Sequence, residues 1–135
     1  MELIRIDCDA DPIIPEHMEL IEHAKGGIFD FDINKIVLCL STEQERIGSV
    51  NGNRLLNGLR GKHLNANVLF YLLSNQELIP DKWKGLQICF FGTVYRYFGT
   101  DAVILYLVWF QDKWQFNCFP INRGYSKDWL VAILK

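Results

Sequence analysis

The chain has 135 residues, of which half are hydrophobic and 22% are charged, and its formal net charge is −2. This composition excludes an intrinsically disordered chain and a collagen-like repeat, and the length fits one domain. The longest apolar run, Ala102–Phe110, is too short for a membrane span, which needs about 20 residues.

Charge is distributed unevenly along the chain. Residues 1–50 carry eleven acids and four bases, whereas residues 51–135 carry five acids and ten bases. Two interpretations stay open. Either the two parts fold against each other and partly neutralise each other's charge, or the second part presents a basic face to an anionic ligand.

The first third of the chain predicts two short strands separated by a helix. Weak alternation predicts a strand over residues 2–7. Pro15 suits the first turn of a helix over 15–25, which would end at the Gly26-Gly27 pair. The apolar run Lys35–Leu40 has the length of a strand.

Capping residues predict the helices that follow. Ser41 precedes a short run rich in Glu and Gln, which is typical of a capped helical turn. Leu55, Leu56 and Leu59 form the apolar edge of a predicted helix over 49–61. Gly52 and Gly58 make this helix weak. Asn65 is a favourable N-cap for a helix over 66–74.

From residue 86 the hydrophobic period changes from that of a helix to that of a strand. Strands are predicted over 86–98, 102–111 and 114–119, joined by tight turns. Ser126 then caps a predicted closing helix over 127–134.

These elements predict a single α+β domain over residues 1–135. Its N-terminal helices would pack on an antiparallel meander of at least three strands, and a short C-terminal helix would close it. Residues 1–80 would be mostly helical with short strands, residues 86–119 would form the meander, and residues 126–134 would form the closing helix.

Aromatic residues concentrate in the predicted meander. Residues 83–129 hold 14 of the 18 aromatic side chains, and the middle strand is apolar on both sides, so it needs cover on both faces. One face would pack on helices. The other would be covered by the N-terminal strands, the closing helix or a second subunit, or would form an open aromatic platform rimmed by Arg96, Lys113 and Arg123.

Motifs for cofactor or metal chemistry are weak. The four cysteines are far apart in sequence, which favours free thiols in a reducing cytoplasm. Asp7, Asp9 and Asp11 have the spacing of a calcium loop, but Pro12 stands where that loop needs glycine. His17 and His23 would not share one helix face. We therefore predict no cofactor, no metal site and no catalytic residue.

One stretch resembles a known family. The pattern Leu64-Asn65-Ala66-Asn67-Val68-Leu69, then Leu78–Gly85, then Phe90–Arg96 is similar to that of a widespread family of uncharacterised bacterial proteins. The resemblance covers about 70 residues well and implies no activity, because none is established for that family. It implies that Trp83 anchors the turn before the first long strand.

Three functional hypotheses follow. The first is a non-catalytic cytoplasmic module that binds a protein, or a second copy, through one aromatic sheet face, with Tyr95, Arg96, Trp109, Trp114 and Arg123 as its candidate binding residues. The second is binding of single-stranded nucleic acid or a small anionic ligand. The third is an enzyme without a recognisable motif. None involves a membrane.

The second hypothesis depends on a set of basic residues. They are Arg54, Arg60, Lys62, Lys84, Arg96 and Arg123. Tyr95 and Trp114 would provide stacking for unpaired bases.

Overall fold

The computed structural model describes residues 4–59 and 61–135. Within those ranges it contains ten strands and three α-helices. The strands are β1 (Arg5–Asp7), β2 (Met18–His23), β3 (Ile28–Asp30), β4 (Ile36–Cys39), β5 (Ser49–Asn51), β6 (Gln87–Tyr97), β7 (Ala102–Phe110), β8 (Lys113–Pro120), β9 (Gly124–Ser126) and β10 (Trp129–Leu134). The helices are α1 (Thr42–Ile47), α2 (Gly52–Gly58) and α3 (Ala66–Ser74).

A mixed six-stranded sheet organises the molecule. Its main order is β4-β10-β6-β7-β8, and β2 pairs with the second half of β6. Strand β10 runs parallel to β6, and the other pairs are antiparallel. Two small antiparallel ribbons, β1–β3 and β5–β9, lie outside this sheet.

The predicted fold class is wrong in its layout. The sheet dominates the chain, and helices do not form an N-terminal layer on a meander. Residues 1–80 were expected to be mostly helical, but their described part contains five of the ten strands. The three meander strands β6, β7 and β8 do lie close to their predicted positions, but they form only half of a larger mixed sheet.

The predicted helix over 15–25 is the strand β2. Its residues pair with the end of β6, Met18 opposite Tyr97 and His23 opposite Thr93. This segment also fits a strand with one irregularity, which lies between Leu20 and Glu22. The long strand β6 offers an unpaired edge there, so tertiary pairing overrides the weak helical pattern.

The predicted closing helix over 127–134 is the strand β10. It lies between β4 and β6, and Val131, Ala132 and Ile133 are buried. A continuous apolar run is typical of a strand covered on both faces. Ser126 and Asp128 resemble a helix start, but residues 129–134 lack the polar face that a surface helix needs.

Capping residues predicted the helices α1 and α3 correctly. The Ser41 hydroxyl accepts the Gln44 N–H, and the Gln44 side chain accepts the Ser41 N–H, which completes a capping box at α1. The Asn65 side chain accepts the Asn67 N–H at the start of α3. The predicted weak helix over 49–61 is shorter, because residues 49–51 form β5 and α2 covers Gly52–Gly58. Asn51, which was not predicted as a cap, accepts the Asn53 N–H at its start.

Both faces of the central sheet are covered within this chain. The first core lies between the sheet and α3, and Leu69 and Leu72 pack there against Phe90 and Tyr95. The second core lies on the opposite face under the β5–β9 ribbon and α2. The aromatic face that the sequence left open is therefore mostly interior, and aromatic exposure is confined to the margins of the sheet.

Candidate functional site

Two of the five predicted binding residues belong to the first core. Tyr95 is fully buried, and its hydroxyl donates to the Ile13 carbonyl at 2.7 Å. Trp114 is also buried, and its ring makes a T-shaped contact with Trp109 at 5.4 Å between centroids. Tyr95 lies on the same side as Phe90 because a bulge shifts the register between them, whereas strict alternation placed it on the opposite side.

The other three predicted residues lie apart from one another. Arg96 forms an ion pair with Glu19 at 2.8 Å across β2 and β6. Trp109 is half-buried near the β7–β8 turn, where Lys84 Nζ lies 4.0 Å from its ring centroid. Arg123 is exposed in the turn between β8 and β9. The five residues do not converge on one surface.

Nearby acids pair with three of the five described members of the predicted basic set. Arg54 bonds to both carboxylate oxygens of Glu43 at 2.7 Å, and Arg96 pairs with Glu19. Both pairs join the acidic first part of the chain to the basic second part. Lys84 pairs with Asp81. Arg60, another member of the predicted set, lies outside the described residues.

A cleft of about 230 Å³ lies beside β6, at the point where the pairing of this strand changes from β10 to β2. Strand β10 leaves β6 after Cys89, and β2 joins β6 at Thr93. Residues 62–64 fill the gap by bonding to the end of β10, and the Gly92 N–H donates to the Leu64 carbonyl at 3.0 Å. The cleft is smaller than the roughly 300 Å³ at which typical ligand pockets begin.

A hydrogen-bond network lies beside this cleft, where β2 joins β6. His23 joins two segments, with Nδ1 at 2.9 Å from Thr93 Oγ1 and Nε2 at 3.0 Å from the Cys8 carbonyl. A carbonyl only accepts, so Nε2 donates to the Cys8 carbonyl. Asn65 is buried and donates to the carbonyls of Cys8 and Ala24. These polar groups bond to one another, which favours a structural role.

Two of the thiols are poor nucleophiles. Burial, followed by the charges of Asp7 and Asp9, raises the pKa of Cys8 to about 11. Burial also raises the pKa of Cys89 well above its ordinary value. A reactive thiol needs the thiolate form near neutral pH, which both environments disfavour.

Alkaline pH is expected to destabilise the fold. Burial raises the pKa of Tyr95 and Tyr125 as well as that of Cys8. Above about pH 9 these groups ionise in the unfolded chain while the folded chain keeps them protonated. The unfolded state then binds fewer protons, so the free energy of unfolding falls as pH rises.

Urea denaturation from about pH 8 to about pH 11 measures this effect. A Cys8→Ala variant should lose about 2 kcal/mol less stability than wild type between the ordinary thiol pKa of 9.0 and the folded value of about 11. Identical pH slopes for the two proteins would show that the Cys8 thiol does not carry this dependence.

A second concavity lies on the outside of α3, and we name it the α3 groove. It is an open groove of about 330 Å³ between residues 5–13 and the helix. Its lining residues are Arg5, Ile6, Asp7, Ala10, Asp11, Ile13, Asn67, Phe70, Tyr71 and Ser74. Asn67 fixes its wall by donating to the carbonyls of Asp7 and Ala10.

Apolar side chains are exposed along this groove and beyond it. Ile13 is 60% exposed, and Phe70 makes a T-shaped contact with Phe116 of the edge strand β8 at 5.2 Å. Phe116 is itself 38% exposed. Half-buried Phe70, which lines the groove, therefore connects it to the margin of the sheet at Phe116.

Sequence reasoning missed this site. Its clearest signal is the Ile13-Ile14 pair between Pro12 and Pro15, because two large apolar residues in a proline-bounded loop are not explained by helix or strand periodicity. Phe70 lies within the predicted helix but outside its predicted apolar stripe, which consists of Val68, Leu69, Leu72 and Leu73.

The described ranges contain no group of three or more His, Cys, Asp or Glu side chains arranged to hold a metal ion. They also contain no helix with the length and apolar character of a membrane span. Comparison with known proteins finds no matching protein family, no matching curated protein and no matching solved structure.

Proposed function

We propose that this chain is a protein-interaction module that docks a segment of another protein in the α3 groove and on the adjoining margin of β8. The observation that carries this proposal is the run of apolar side chains from exposed Ile13 across half-buried Phe70 to partly exposed Phe116. Exposed apolar surface of this kind, bordered by polar residues, marks protein interaction sites.

The proposal differs from a sheet-face platform because the sheet faces are occupied. Tyr95 and Trp114 already pack inside the first core. A partner that stacked on Tyr95 would have to displace α3, which buries Val68, Leu69 and Leu72 against the sheet. Docking beside the helix leaves this core intact.

Strand addition at the β8 edge is disfavoured by the chain itself. The Asn117 side chain accepts the Cys118 N–H at 2.8 Å, and Pro120 has no N–H to offer. Such residues protect edge strands from pairing with other chains. This supports recognition through side chains rather than through added strand hydrogen bonds.

Selection of phage-displayed random peptides on the immobilised chain tests the proposal. Enriched peptides should bind with Kd on the order of 1–100 µM, since a groove of this size supports only a small interface. Ile13→Ser or Phe116→Ser should weaken binding by about tenfold, because each removes apolar contact area.

Ile47→Ser is the matched control, because Ile47 is 76% exposed on α1 and lies outside the groove. It should leave peptide binding unchanged. Enriched peptides that bind the Ile13 and Phe116 variants as well as wild type, or a selection that enriches nothing, would contradict docking at the α3 groove.

A further inference from the structure

The α3 groove combines apolar surface with uncompensated negative charge. Asp7 and Asp11 line it, and Asp9 lies between them, all three exposed. Within residues 4–59 and 61–135, none of these three carboxylates forms an ion pair. The cation in the lining, Arg5, already pairs with Asp30 at 3.2 Å.

Hydrogen bonds hold two of these carboxylates and the loop backbone in place. The Asp9 N–H donates to Asp7 Oδ1, and Asp9 Oδ1 accepts the Gly27 N–H. Asn67 binds the loop carbonyls from α3. The Asp7 and Asp9 carboxylates are therefore held by backbone N–H groups, and the backbone just before Asp11 is bound to α3 through Ala10. Ordering this loop for a partner costs less than ordering a free loop.

From this charge complementarity we infer that the partner segment is basic and apolar, with leucine-like side chains for the groove and Lys or Arg beside Asp7 and Asp11. The inference rests on the proposed docking function. An apolar contact supplies most of the affinity, while opposite charges at the rim set partner preference and the rate of association. An acidic segment of equal hydrophobicity would meet like charge and bind more weakly.

Fluorescence anisotropy with designed probe peptides tests this inference. The probes are amphipathic peptides of about 14 residues built from leucine and lysine, from leucine and glutamine, and from leucine and glutamate. The lysine peptide should bind wild type about tenfold more tightly than the glutamine peptide, and added salt should reduce that difference. The glutamate peptide should bind most weakly.

Two double variants separate local charge from net charge. Asp7→Asn with Asp11→Asn should reduce the preference for lysine over glutamine to about twofold. Glu45→Gln with Asp112→Asn removes the same number of exposed carboxylates outside the groove and should keep the full preference.

The outcomes distinguish the two proposals. If the lysine and glutamine peptides bind equally and both lose affinity in Ile13→Ser, the groove is a docking site and the basic-partner inference is wrong. If no peptide binds, or binding is the same in Ile13→Ser as in wild type, docking in the groove is itself contradicted.

Discussion

Replacing Gly92 with alanine is expected to lower the free energy of unfolding by about 3 kcal/mol, because a methyl group has no space there. A Cβ at Gly92 would lie 2.8 Å from backbone atoms of Leu64 and Asn65. The backbone at this position also joins two segments, since its N–H donates to Leu64 and its carbonyl accepts the Ala24 N–H. Moving it would weaken both contacts.

Gly58→Ala is the matched control for this substitution. Gly58 lies in the last turn of α2, and a Cβ there meets no atom within 4 Å outside its chain neighbours and its own helix backbone. Alanine is a better helix former, so this variant should be as stable as wild type or up to about 1 kcal/mol more stable. Urea denaturation of both variants makes the comparison, and equal stabilities would refute the close approach of β6 to residues 64–65.

Asn65→Ala is expected to cost about 3 kcal/mol, because Asn65 does more than cap α3. Its Oδ1 accepts the Asn67 N–H, while its Nδ2 donates to the carbonyls of Cys8 and Ala24. Truncation removes the cap and leaves two carbonyls in the interior without this donor.

Asn51→Ala isolates the capping contribution. Asn51 caps α2 by accepting the Asn53 N–H, and its side chain is exposed. Losing this cap should cost about 1 kcal/mol. Thermal and urea unfolding of both variants should show that Asn65→Ala is the more destabilising by about 2 kcal/mol. If the two variants lose equal stability, the buried amide contributes nothing beyond its cap.

Local signals in the sequence predicted local structure well. Asn65 and Ser41 marked the starts of α3 and α1 because caps satisfy free N–H groups wherever a helix begins. The meander was predictable because two tight turns, at 99–101 and 111–112, separate long stretches with a strand period. These signals depend only on neighbouring residues.

The two strands that were predicted as helices form because they pair with residues far away in the sequence. Residues 18–23 form a strand because β6 extends past β10 and offers them an edge. Residues 129–134 form a strand because β4 and β6 flank them. Neither partner is adjacent in sequence, so no local pattern specifies these pairings.

The α3 groove and its margin also depend on contacts between residues that are far apart in the sequence. Phe70 and Phe116 lie 46 positions apart in the chain, and only the packing of α3 beside β8 brings their rings together. The predicted residues Tyr95 and Trp114 were chosen for residue type. The bulge in β6 turns Tyr95 into the first core, and Trp114 is buried in the same core against Trp109.

Docking at the α3 groove is tested most directly by nuclear magnetic resonance on the isotope-labelled chain titrated with a peptide from the selection. Backbone amide signals of residues near Ile13, Asn67, Phe70 and Phe116 should shift on binding, while those of Ile47 and the β5–β9 ribbon on the opposite face should stay in place. Shifts concentrated at the Gly92 cleft or at the second core, with the α3 groove unchanged, would contradict the account.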